Sequence, residues 1–186
     1  FSRMISGVIA CTLLLLLPGC DRDNRKTPAP GDKDGGAALI APGIQAKMPE
    51  FSLPSAHDGR QVKSASWQGR VRLVVFFSPW CSSCSAHLAM LQELQRDYDP
   101  AEFSVIGIAI IESKEAQGLD QFIARLDLEF PILIGNDRVR EAFGGVSFIP
   151  TTFLVDRYGN IVKKEITHQK KEDLAAPINL LLRKRP

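Results

Sequence analysis

Val71-Arg72-Leu73-Val74-Val75-Phe76-Phe77 is a β-branched and aromatic run with no sustained alternation of polar and apolar positions. A strand that needs water on neither face belongs at the centre of a sheet covered on both sides, and this confines the chain to a layered α/β arrangement. Ser78-Pro79-Trp80 ends the run. Just beyond, Leu88, Leu91, Leu94 and Tyr98 recur at helical spacing after Cys84, and Pro100 closes that element. A buried strand that feeds a helix is the first half of a βαβ unit.

The remaining segments extend the pattern. Phe51-Ser52-Leu53 and Arg60-Gln61-Val62 flank the turn signal His57-Asp58-Gly59, which predicts a β-hairpin ahead of the central strand. A second strand is expected over Phe103 to Ile111. A helix follows from Glu115 to Leu126, with Leu119, Phe122, Ile123 and Leu126 on one face, and then a short strand over Ile132 to Ile134. Thr151 to Asp156 and Asn160 to Ile166 read as strands joined by Arg157-Tyr158-Gly159, and a last helix runs from Lys171 to Leu182. The order hairpin, βαβ, αββα predicts a central mixed β-sheet flanked by helices. The apolar fraction of 45% is enough for one such core, and there is no internal repeat.

The N-terminal part has a different character. Arg3 precedes an apolar stretch from Ile5 to Leu17 that is short of the ~20 residues a bilayer requires and ends at small residues, as export signals do. Leu17-Pro18-Gly19-Cys20 resembles the lipobox of bacterial lipoproteins, which implies cleavage before Cys20 and lipidation of that cysteine; the alternative is plain secretion with Cys20 left free. Multiple acyl chains on one residue would anchor the chain firmly to a membrane while leaving it outside the cytoplasm. In lipoproteins of enteric-type bacteria an aspartate after the lipidated cysteine favours retention at the inner membrane facing the periplasm, and Asp21 fits that pattern. Residues 1–19 are thus expected to be a signal peptide, 20–46 a lipid anchor and tether rich in Pro, Gly, Asp and Lys, and 47–186 the folded domain.

Cysteine usage then narrows the chemistry. Cys11 lies in the signal and Cys20 at the anchor, so only Cys81 and Cys84 remain in the folded part, and no structural disulfide framework is available. Cys81-Ser82-Ser83-Cys84 falls between a buried strand and a helix. Free N–H groups and positive partial charge at a helix start stabilise a thiolate, which makes Cys81 the candidate nucleophile. Cys84, one turn on, can attack a mixed disulfide and leave the two cysteines bridged. No other cofactor is called for. A structural zinc site would need two more ligands, and with no second C-x-x-C and only His57, His87 and His168 the chain does not supply an ordinary set.

Trp80-Cys81-Ser82-Ser83-Cys84 after a buried strand, with Ile149-Pro150-Thr151 far downstream, resembles the thioredoxin superfamily. Met48-Pro49-Glu50-Phe51-Ser52-Leu53, Glu112-Ser113-Lys114, Phe130-Pro131 and Pro150-Thr151-Thr152-Phe153-Leu154-Val155-Asp156 are similar to the TlpA/ResA group within it, from about residue 47 to the end. The resemblance implies a thioredoxin fold and a membrane-tethered thiol–disulfide oxidoreductase. Such an enzyme would reduce cysteine pairs in exported proteins, as in cytochrome c maturation or copper-site assembly, with electrons from a membrane thiol donor. It also implies that Pro150 is cis beside the disulfide, that Ile149 offers its backbone to an extended substrate with Thr151 in support, and that Trp80 shields the rim. Two positions depart from the pattern. Val75 stands where thioredoxin has a buried aspartate, and His87 stands where the narrower group often has a glutamate. An imidazole there could exchange the proton that Cys84 must lose or gain; the alternative is a solvated side chain in the first turn of a helix.

Two rival readings stay open. A copper chaperone could use Cys81, Cys84 and His87 as ligands, although copper carriers of this superfamily generally space their cysteines one residue wider. A peroxiredoxin-like peroxidase has a similar N-terminal half, but counting from Pro79 puts Ser83 at the hydroxyl position of its P-x-x-x-[ST]-x-x-C motif and Ala86 where the cysteine belongs. A formal net charge of +2, with its basic pairs dispersed, gives no footprint for nucleic acid.

Overall fold

The computed structural model describes residues 46–111, 116–167 and 169–183. The expected signal peptide, Cys20, nearly all of the tether, Glu112-Ser113-Lys114 and His168 lie outside the described residues. Among the described residues no helix is long and apolar enough to cross a membrane.

The predicted hairpin pairs β1 (Ser52–Pro54) with β2 (Gln61–Lys63), Leu53 opposite Val62. Its turn closes through the Gly59 amide, which donates to the Ser55 carbonyl at 2.9 Å. A 3-10 turn (Ser64–Trp67) leads into β3 (Val71–Phe77), and α1 (Ser82–Arg96), β4 (Phe103–Ala109), α2 (Ala116–Arg125) and β5 (Ile132–Ile134) follow. After α3 (Asp137–Ala142) come β6 (Thr151–Val155), β7 (Ile161–Ile166) and α4 (Lys171–Arg183). The main sheet runs β5-β4-β3-β6-β7; β3, β4 and β5 are parallel, while β6 and β7 add antiparallel pairs.

Every residue of β3 is buried. Val71, Leu73, Val75 and Phe77 pack on one face against Leu88, Leu91 and Leu94 of α1, Leu119 and Phe122 of α2, and Leu174 and Ile178 of α4. Val74 and Phe76 point to the other face, among Trp67, Val139, Phe143 and Phe153. Phe143 meets the rings of Phe76 and Phe153 edge-on, each at 5.1 Å. The one polar residue of the run, Arg72, is 3% exposed and donates from Nη2 to the Asp156 carbonyl at 2.9 Å. Burial pushes its guanidinium below the usual value.

The element that the sequence pattern did not announce is α3. It has six residues and buries only Val139, too little for an apolar period. Its start is nonetheless capped, since Asn136 Oδ1 accepts from the Val139 amide at 2.9 Å.

Candidate functional site: a cysteine pair at a helix start

The junction of β3 and α1 sets the site. A turn carries the chain out of the sheet, with the Cys81 amide donating to the Ser78 carbonyl at 3.1 Å, and leaves Cys81 in an extended conformation as the N-cap of α1. Its Sγ occupies the place of a capping oxygen and accepts from the Cys84 N–H at 3.2 Å. Ser83 Oγ lies 3.3 Å from the same sulfur, a contact that the spacer residues gave no means of anticipating. No acidic residue stands in the first turn of α1 to oppose negative charge on Cys81.

Cys81 and Cys84 are joined in a disulfide, their Cα atoms 5.2 Å apart. The two sulfurs have unequal surroundings. Cys81 is half-buried at the surface, whereas Cys84 is 0% exposed within the core of the α1 face.

The distant segment meets the pair from the sheet side. The Ile149–Pro150 bond is cis, Pro150 is buried, and the Ile149 carbonyl oxygen lies 3.9 Å from Cys81 Sγ. Thr151 donates from Oγ1 to the Phe148 carbonyl at 2.7 Å and so ties the loop to the head of β6. The structure thus brings Cys81, Cys84, Ile149, Pro150 and Thr151 into one place. Trp80 and Phe148, each next in sequence to a residue of this cluster, are exposed by 61% and 67%. The Trp80 indole lies against Gly118 of α2, where a Cβ would come within 2.7 Å of its Cη2. Gly118 and Phe148 carried no motif and were not legible as parts of the site.

His87 departs from the solvated alternative. It is 0% exposed, and its Nε2 stands 2.9 Å from Thr152 Oγ1 on β6. Its position on α1 is one turn beyond Cys84, on the face turned to the sheet. Among the described residues no group of three or more His, Cys, Asp and Glu side chains is placed to hold a metal ion.

A thioredoxin-fold sheet with a dithiol–disulfide couple at the start of its first long helix, faced by a cis-proline, defines the class. The chain belongs to the AhpC/TSA family, whose model matches residues 44–164. It is 30% identical over 132 residues to thiol-disulfide oxidoreductase ResA of Geobacillus thermodenitrificans (strain NG80-2), across 70% of this chain and 74% of ResA. The thioredoxin-like protein YneN of Bacillus subtilis (strain 168) is 28% identical over 135 residues, across 72% of this chain and 78% of YneN. These matches bear out the ResA-like thiol–disulfide oxidoreductase expected from the sequence. A solved thiol:disulfide interchange protein of the thioredoxin family from Chlorobium tepidum TLS shares the fold, with TM-score 0.68 at 24% identity over 76% of this chain and 99% of that one.

Proposed function

We propose that the chain works outside the cytoplasm as a lipid-anchored protein-disulfide reductase. Its substrates would be cysteine pairs of exported proteins, among them apocytochrome c or copper-site thiols. The observation that carries this reading is the asymmetry of the pair: a surface sulfur at a helix start, backed by a fully buried one. A substrate disulfide reaches Cys81 and not Cys84. The Cys81 thiolate, held by the helix start and by the Cys84 amide, attacks one substrate sulfur and expels the other as a thiolate. Cys84 then attacks Cys81, which closes the disulfide seen here and frees the second substrate thiol. His87 takes up the proton that Cys84 sheds in this step. Ile149, Pro150 and Thr151 form the shelf beside the sulfurs on which an extended substrate lies, with Trp80 at its rim.

The anchoring at Cys20, the inner-membrane location and a membrane thiol donor that returns two electrons per turnover complete the proposal; they rest on the sequence pattern at residues 1–21 and on the resemblance. Direction of electron flow is tested by equilibrating the Cys81/Cys84 couple against glutathione and dithiothreitol buffers. A potential near or below about −270 mV supports a reductant, whereas one near about −120 mV marks an oxidant and overturns the proposal.

A further inference from the structure

Glu165 is an unusual residue for its place. It sits on β7, an edge strand of the main sheet, yet it is 3% exposed, and a carboxylate is buried only at a cost unless it is paired. Its partner is Lys163, two residues earlier on the same strand and itself largely buried. Register fixes the face these side chains share. Glu165 lies directly opposite Thr152 of β6, and Lys163 opposite Leu154, on the side of the sheet covered by α1 and α4. Lys164, between them, turns to the other side and lies over the Phe153 ring at 5.4 Å. Directly opposed side chains have Cβ atoms roughly 4.5–5.5 Å apart, so Thr152 neighbours Glu165 across the strand pair while its Oγ1 meets the His87 imidazole.

We infer that Glu165 is a positioning residue for proton exchange at Cys84, strengthening His87 as a base across Thr152, while Lys163 holds that effect in check. This rests on the reading of His87 as the proton acceptor. When the mixed disulfide collapses, the Cys84 thiol gives its proton to His87. The Cys84 sulfur forms its bond to Cys81 as the Cys81–substrate bond breaks, and the substrate sulfur leaves with that electron pair. The dithiol is oxidised, the substrate disulfide is reduced, and His87 returns its proton to the leaving thiolate or to water. A carboxylate near the resulting imidazolium favours it, and an ammonium disfavours it. Among the described residues, the charges on the packed elements lie as follows. Glu93 and Arg96 of α1 and Glu172, Asp173 and Arg183 of α4 are exposed, Lys171 is held by Asp97, and Arg72 of β3 faces the opposite layer.

The experiment mixes the reduced full chain with glutathione disulfide between pH 4.5 and 9. The collapse of the Cys81–glutathione adduct is followed by acid quenching and mass spectrometry. Glu165→Gln should move the acid limb of the collapse rate downward by about one pH unit and slow the plateau by roughly three- to tenfold, as befits a weaker base. Lys163→Met should move the limb upward. Shifts in opposite directions support the inference, because damage to packing alone would not reverse sign. A limb that stays put in both variants, or moves the same way in both, overturns it. If Glu165→Gln does not fold, the Lys163→Met limb decides alone, upward in support and unmoved or downward against. His87→Asn separates the two levels: if it retains the wild-type limb, the reading of His87 fails, whereas a limb lost in His87→Asn but unmoved in the other two variants sinks only the role of Glu165 and Lys163.

Discussion

Gly118→Ala sets two effects of one methyl group against each other. Gly118 lies within α2, where alanine is favoured over glycine by about 0.8–1 kcal/mol. The new Cβ, however, would stand 2.7 Å from Trp80 Cη2 and 3.0 Å from Cζ2. Ordinary contact begins at 3.4 Å, so the indole must give way by about 0.7 Å, and at 61% exposure it can do so without disturbing the core. Stability should therefore stay level or rise by up to about 1 kcal/mol in urea unfolding. Catalysis should suffer, because Trp80 adjoins Cys81 and a displacement approaching 1 Å beside a reacting atom can cost up to about a hundredfold. We expect a loss of roughly three- to tenfold in kcat/KM for a protein disulfide and little change for a small disulfide that does not need the rim. Steady-state kinetics on both substrates, with Trp fluorescence to report the moved indole, check this. Wild-type kcat/KM on the protein substrate would show that the Trp80 rim has no part in substrate binding, and a stability loss above about 2 kcal/mol would show that the methyl group had met something rigid.

Other outcomes follow from single contacts. Thr152→Val keeps the shape of the side chain but removes the partner of His87 Nε2 at 2.9 Å; leaving that buried nitrogen without it should cost about 1–3 kcal/mol in urea unfolding of the oxidised protein. Phe76→Ala empties the centre of the layer shared with Phe143 and Phe153, and should cost about 3–5 kcal/mol by the same assay. Burial, aided by Asp97, raises the Tyr98 phenol above its ordinary 10.0, so ultraviolet titration should show late ionisation at this residue. A raised folded value means that its contribution to stability is intact below the unfolded pKa and lost as pH climbs through the folded one; Tyr98→Phe should flatten that alkaline loss.

The parts of this molecule that the sequence made legible are those whose cause is local. Val71–Phe77 matched its strand end to end because both of its faces are buried and, Arg72 aside, apolar. The cysteine pair could be read because its meaning depends on the strand before it and the helix after it. The same holds for the hairpin around Gly59, whose turn residues sit between two short extended pieces. What stayed hidden depends on partners far along the chain. His87 could not be told from a solvated first-turn histidine, since the hydroxyl it meets belongs to Thr152, 65 residues away on another strand. Glu165 reads as one more polar residue in a lysine-rich edge strand until the register puts it opposite Thr152. Gly118 has no motif, and only the approach of Trp80 gives its missing side chain a purpose. The cis bond at Pro150 came from the resemblance and not from the residues themselves.

The half-buried Cys81 sulfur and the fully buried Cys84 sulfur divide the chemistry between them, and trapping of covalent intermediates separates their roles. Cys84→Ser and Cys81→Ser variants would each be reduced, mixed with a disulfide-containing protein and quenched, and the covalent adducts counted by mass spectrometry. A persistent mixed disulfide is expected at Cys81 in Cys84→Ser and essentially none in Cys81→Ser. Equal trapping by both variants, or adducts at Cys84 alone, would contradict this division of roles.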